Sequence, residues 1–370
     1  MLLKMIRFWG QVLVLSLLTW PIATFGQEVA AEVPLSLFGE PLYELREVSS
    51  EAPLLPPTPE EPYQYPIDDA PAVYAESQSG VVGNACAPNY WIVSSRCSAQ
   101  SHRQACNGSC PLDVFQRTPD RRFHRSSLDA MGCQLDPRVP VCIFAHGSYV
   151  TWESQLIDAE ATYQRVSRAC GCPIQMIFYT WPSDERVTPL IPADVRIHGL
   201  RAEFNGFYVA QLISRIPESC PVCLIGHSHG VRVCLAAMHL AGGGTLGGCR
   251  PPCDMGCRRY RLIMAAGAVN HNWLNPGQQY GCALNRVECA LLFVNQKDIA
   301  LIFYPLTGFR AHTAISKRGF SRQDVALIGP QAGKVRELNV SQLLGMKHNW
   351  HFYYRQPQII GAMVPYIYFQ

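Results

Sequence analysis

Five residues of this 370-residue chain, Gly226-His227-Ser228-His229-Gly230, fit the pattern Gly-x-Ser-x-Gly. An apolar, strand-like run precedes them at 222–225, and a run with apolar residues at helical spacing follows at 231–240. A strand, a sharp turn with serine at its tip and a helix form a nucleophile elbow. So tight a turn leaves no room for side chains two before and two after the serine, hence the glycines. The plainer alternative is a glycine-rich turn whose serine only caps a helix. As a nucleophile, Ser228 needs a base, and the base needs an acid to orient it.

On such elbows the acid and then the base follow the serine in the chain. The acids after Ser228 are Asp254, Glu288, Asp298, Asp324 and Glu337. Asp254 lies in a cysteine-rich loop, and Glu288 precedes a strand-like run. Asp298 follows the apolar run 289–294 closely, at the strand end where an active-site acid belongs. It would equally suit the start of a helix at 299–302. The later histidines are His312, His348 and His351. The segment 347–354 lies between the last expected strand and the last expected helix. Chain order alone does not choose between His348 and His351. His227 and His229 flank the nucleophile and are read as wall residues. Two main-chain donors are needed for the oxyanion. The amide of His229 is one; the turn 147–149 after the strand 139–145 supplies the other, with Ser148 as the candidate.

The elements that must carry these residues are legible as apolar runs at 90–96, 139–145, 174–180, 222–225, 261–266, 289–294 and 335–340. Helical segments at 152–169, 196–213, 231–240 and 357–364 alternate with them. Continuous apolar strands alternating with helices predict an α/β fold, with a mostly parallel central sheet covered on both faces. Ligands of such sheets sit at the carboxyl ends of the strands.

Residues 1–26 carry Lys4 and Arg7, a short apolar core and small residues at 24–26. They read as an export signal, or as an uncleaved anchor. Residues 27–80 hold eleven acids, nine prolines and one base, Arg46, and read as an extended or disordered linker. The domain is expected over 81–370, with a cysteine-rich N-terminal segment. It is basic, with 28 Lys and Arg against 17 Asp and Glu. No nucleic-acid motif accompanies that charge; general solubility is its first reading, and peripheral association with an envelope surface the alternative. Sixteen cysteines agree with an oxidising compartment, periplasmic, envelope-bound or extracellular. Cys142, Cys223, Cys234 and Cys289 lie in apolar runs and read as buried free thiols. The other twelve, in loops, read as disulfide formers. The spacing Cys249, Cys253, Cys257 is not that of a zinc site, so no metal or other cofactor is expected.

Four patches resemble the bacterial α/β-hydrolases of unknown function often labelled esterase/lipase superfamily enzymes. They are Trp91-Ile92-Val93-Ser94-Ser95-Arg96, His146-Gly147 with Trp152-Glu153, Trp181-Pro182-Ser183, and Gly226-His227-Ser228-His229-Gly230. Asn295-x-x-Asp298-x-Ala300-Leu301 resembles the family's acid turn. His351-x-Tyr353-Tyr354 resembles its histidine segment. The resemblance implies an α/β-hydrolase fold and selects His351 over His348 as the base. The family often has an aspartate soon after the strand that here runs into 265–270; this chain has none there. The expectation is therefore an exported serine hydrolase of a small-molecule or lipid ester, with Ser228, His351 and Asp298 as its triad. The competing expectations are a silent binding or envelope module on the same fold, and a peptidase or thioesterase.

Overall fold

The computed structural model describes residues 89–98, 111–251, 253–308 and 312–369. The expected export signal and acidic linker lie outside them. Nine strands form one sheet in the order β3-β2-β1-β5-β4-β6-β7-β8-β9. They are β1 (Tyr90–Ser94), β2 (Asp113–Arg117), β3 (Phe123–Ser126), β4 (Val141–Ala145), β5 (Gln175–Thr180), β6 (Val222–His227), β7 (Tyr260–Ala265), β8 (Val287–Val294) and β9 (Val335–Asn339). From β1 to β9 all pairings are parallel; β2 and β3 add an antiparallel edge.

β1, β4, β6 and β7 are buried at every position, so apart from Ser94, His227 and Arg261 their sequences run apolar rather than alternating. Helices α1 (Leu128–Gln134), α2 (Trp152–Cys170), α3 (Ile191–Ser214) and α4 (Gly230–Ala241) interleave with the strands. Five follow: α5 (Ile299–Ile302), α6 (Ile315–Arg318), α7 (Arg322–Ile328), α8 (Ser341–Leu344) and α9 (Trp350–Tyr354). The last is α10 (Pro357–Tyr368).

One face of the sheet packs on α3 and α4 through Phe204, Phe207, Val231 and Leu235. The other packs on α2, α9 and α10 through Leu156, Tyr163, Trp350 and Ile359. Each such side chain contributes about 1.5–3 kcal/mol of burial. The expected α/β class and both covered faces are therefore observed.

Two expectations are corrected. The hairpin β2–β3 lies in a segment read as irregular. Its second strand is largely exposed and polar, so no apolar period marks it. The disulfides expected in loops are not formed among the described residues: Cys97, Cys133, Cys172, Cys220, Cys249, Cys253, Cys257 and Cys282 are free thiols. A disulfide needs two Cβ atoms about 3.8 Å apart, a condition that counting cysteines along a chain does not test. The Cys220 thiol instead donates to the Asp136 carbonyl. Cys142, Cys223 and Cys234 are buried free thiols, and Cys289 is half-buried and free. Cys86, Cys106 and Cys110, with the side chain of Cys170, lie outside the described residues.

Candidate functional site

Ser228 sits between the end of β6 and the start of α4. It has φ +54°, a left-handed backbone that a non-glycine residue adopts at a cost. Its amide is tied to the Ala265 carbonyl at 2.9 Å. The flanking glycines are required sterically. A Cβ on Gly226 would lie 2.6 Å from the Val231 Cα, and one on Gly230 would lie 2.0 Å from the Ala145 carbonyl oxygen. Both obstacles are main chain. The strained turn holds Ser228 at the carboxyl edge of the sheet, with 9 % of its surface exposed.

Asp298 follows β8 as the N-cap of α5, fully buried. Its Oδ1 accepts from the amides of Ala300 and Leu301 at 3.0 and 3.2 Å. Oδ2 is left to accept from Nδ1 of His348 at 2.8 Å. Nε2 of His348 lies 3.0 Å from the Ser228 hydroxyl. With Nδ1 protonated and bound to the carboxylate, Nε2 is the acceptor. Asp298 thus caps α5 through one carboxylate oxygen and meets His348 through the other.

His351 does not take that place, which corrects the choice drawn from the family resemblance. It lies on α9, where Trp350, Tyr353 and Tyr354 face the core and turn residue 351 the other way. The Trp350 indole N–H donates to the Thr162 hydroxyl at 2.8 Å, which fixes the helix against α2. The His351 ring packs on Phe352 instead. Burial holds its pKa below the usual value, helped by Arg355 and Lys347. His348, just before the helix, falls beside the acid.

Two contacts that the sequence reading missed hold the His348 segment. Asn295 is fully buried, and its amide donates to the carbonyls of Gly345 and Lys347 at 2.9 and 3.3 Å. His227, read only as a wall residue, donates through Nε2 to the main-chain carbonyl of His348 at 2.8 Å. Burial pushes the His227 pKa down to about 3, with His348 adding to the shift, so the ring is neutral and one nitrogen is a fixed donor. The polar residue after an apolar strand, at 295, was the available signal for the first. Nothing in the sequence signals the second.

The turn after β4 closes over the serine. A Cβ on Gly147 would lie 2.8 Å from the Ser228 Cβ. The Ser148 hydroxyl and Nδ1 of His229 are 2.6 Å apart, a contact between the side chains of the two residues. The distinctive sequence patches meet behind this turn. Trp181 stacks on His146, and its indole donates to the His146 carbonyl at 3.0 Å. Arg96 donates to the Val150 carbonyl at 2.7 Å and pairs with Asp184 at 2.8 Å. The Tyr149 amide donates to the Ser183 carbonyl at 2.5 Å.

Among the described residues no group of three or more His, Cys, Asp or Glu is placed to hold a metal ion. The arrangement can instead pass a proton from a hydroxyl to an imidazole backed by a carboxylate.

No model of a known protein family matches the chain, and no curated protein matches it in sequence. Among solved structures it is similar to a hyperthermophilic esterase from the archaeon Pyrobaculum calidifontis. The two are 14% identical over 70% of this chain and 79% of that one, with a TM-score of 0.32.

Proposed function

We propose that the chain has an α/β-hydrolase fold and is a serine hydrolase of carboxylic esters. The observation that carries this reading is the continuous series Ser228 hydroxyl, His348 imidazole, Asp298 carboxylate, at 3.0 and 2.8 Å. The chain order serine, acid, histidine, after β6, β8 and β9, supports it.

In this reading Nε2 of His348 takes the hydroxyl proton as the Ser228 oxygen attacks the ester carbonyl. Asp298 stabilises the imidazolium and keeps its Nδ1–H in place. The amides of His229 and Ser148 donate to the oxyanion. The His348 proton then goes to the departing alcohol, leaving an acyl group on Ser228. Water attacks that acyl-enzyme, giving its proton to Nε2, and the serine is restored as the acid leaves. The charged start and short apolar run of residues 1–26 add export to the reading.

The test is a panel of p-nitrophenyl esters of increasing chain length on wild type and Ser228→Ala, with fluorophosphonate labelling of both. Hydrolysis and labelling should require Ser228, with turnover falling by about 10⁴ or more in its absence. Turnover retained in Ser228→Ala would remove the catalytic reading. A wild type that neither labels nor hydrolyses would leave a binding module.

A further inference from the structure

Arg232 lies one helical turn beyond Ser228 on α4, with only 8 % of its surface exposed. Its Nε donates to the Ala268 carbonyl at 2.8 Å, and Nη2 donates to the Tyr304 hydroxyl at 3.1 Å. The guanidinium lies over the Trp273 ring at 4.8 Å and more loosely over Tyr304 at 6.0 Å. The groups it bonds and stacks on are neutral, and a Cβ on Gly199 of α3, one turn before Glu203, would lie 2.3 Å from Nη1. Among the described residues it forms no ion pair. Glu203, on the neighbouring helix α3, gives a carboxylate oxygen to Gln279 and Tyr280 at 2.6 and 3.1 Å.

A buried cation without a counter-charge is costly, and two aromatic faces replace only part of its hydration. Its position gives that cost a use. Ala268, which receives the Nε bond, donates its own amide to the Ser228 carbonyl at 3.3 Å. Trp273 and Tyr304 belong to the segments that follow β7 and β8, the same sheet end that carries Asp298. Beside the cation, His229 keeps Nε2 fully buried with no hydrogen-bond partner. Burial holds the His229 pKa well down, and Arg232 adds to the shift, so that ring is neutral.

We propose that Arg232 is a specificity residue that receives a carboxylate on the acyl part of the substrate. The substrates are then half-esters of short dicarboxylic acids, bound with the ester at Ser228 and the free acid at the guanidinium. With Nε and one Nη2 hydrogen committed, the guanidinium offers the remaining donors and a single positive charge. That suits one carboxylate better than a dianionic phosphate, which usually gathers several cations. Arg232 is the fourth residue after Ser228, about one helical turn of main chain, and a short linking chain is proposed on that ground.

This inference rests on the serine-hydrolase reading, and the two fail differently. The measurement compares kcat/KM for p-nitrophenyl hemisuccinate with that for p-nitrophenyl butyrate, a neutral ester of the same chain length. Wild type should favour the hemisuccinate. Arg232→Gln should lower that ratio by roughly 10- to 100-fold, the loss expected for one charge-assisted contact, and Arg232→Lys by less. By calorimetry, Ser228→Ala protein should bind free succinate, and the added Arg232→Gln change should abolish this. Hydrolysis of butyrate with no preference for hemisuccinate in wild type overturns the proposal and spares the hydrolase reading. So does a ratio unmoved in a folded Arg232→Gln. Should that variant not fold, the wild-type ratio and succinate binding to Ser228→Ala decide. No turnover of either ester removes the hydrolase reading itself.

Discussion

The imidazole of His227 donates to the main-chain carbonyl of His348 at 2.8 Å, so the residue before Ser228 holds the backbone of the residue that faces it. Their rings also pack, with centroids 5.3 Å apart, and His227 lies against Trp350 and Tyr353. One strand end therefore fixes both Ser228 and, through a side chain, the loop that carries His348.

His227→Phe fills the same space and removes the donor. It should lower kcat by roughly 10- to 100-fold, as a displacement of about 1 Å at the reacting groups can. KM for a small ester should change little, because His227 does not touch the carbonyl carbon in the proposed mechanism. His227→Gln keeps a donor and should recover part of the loss. A fall in KM alone, or equal losses for Phe and Gln, would show that His227 only packs.

His348→Ala should reduce kcat to within a small factor of Ser228→Ala, and the double variant should be hardly worse, because triad members act as a unit. His351→Ala should leave kcat within about tenfold of wild type, the range of a residue that touches neither partner. Steady-state turnover of a p-nitrophenyl ester measures all four. The reverse pattern would restore the aromatic match that selected His351.

That match shows what sequence pattern resolves here. Ser228 and Asp298 were legible because each follows an apolar strand, and a strand end fixes where the next residues emerge. The choice between His348 and His351 was not. It depends on where α9 begins and on Trp350 turning inward to reach Thr162, 188 positions away. The central parallel strands were legible because both-sided burial makes them mainly apolar, whereas β9 at the edge is largely exposed. The β2–β3 hairpin was hidden because edge strands can be polar. The cysteines misled for a related reason: loop position says nothing of Cβ separation. Arg232 was invisible because a charge in the first turn of a helix looks like any solvated side chain until its neighbours are known.

The elbow glycines give a stability test. Gly230→Ala drives a Cβ into the Ala145 and His146 carbonyls, at 2.0 and 2.6 Å, where no side chain can swing aside. It should destabilise by at least the ~1–3 kcal/mol typical of overpacking. Gly361→Ala makes the contrast. It lies within α10, and a Cβ there meets nothing within 4 Å. It should stabilise by about 0.5–1 kcal/mol. Urea denaturation of both variants checks the pair.

Stability should also depend on pH through the histidines behind the site. Burial pushes His146 down to about 3, with Arg96 and His227 adding to the shift; burial and His348 do the same for His227. Both rings are neutral in the native state and take up protons near pH 6.5 when unfolded. Between about pH 3 and 6.5 the unfolded chain therefore binds protons that the native chain does not, and stability rises with pH across that window. Their contribution is complete above pH 6.5 and is lost as pH falls, at up to ~1.4 kcal/mol per pH unit for each histidine. Asp324 acts lower down. Its burial opposes ionisation, but hydrogen bonds from Ser321 and Asn275 prevail and hold its pKa at about 2. Its contribution is present above the ordinary carboxylate range and is lost only as pH falls toward 2. Between pH 7 and 5 the histidines should therefore dominate. The melting temperature of wild type should fall over that interval. His227→Gln should melt lower than wild type at pH 7 yet lose less on acidification, since it has one fewer proton to take up. An equal or steeper fall in His227→Gln would mean that the His227 ring is already charged in the native protein, and that its bond to the His348 carbonyl is not made by a neutral imidazole.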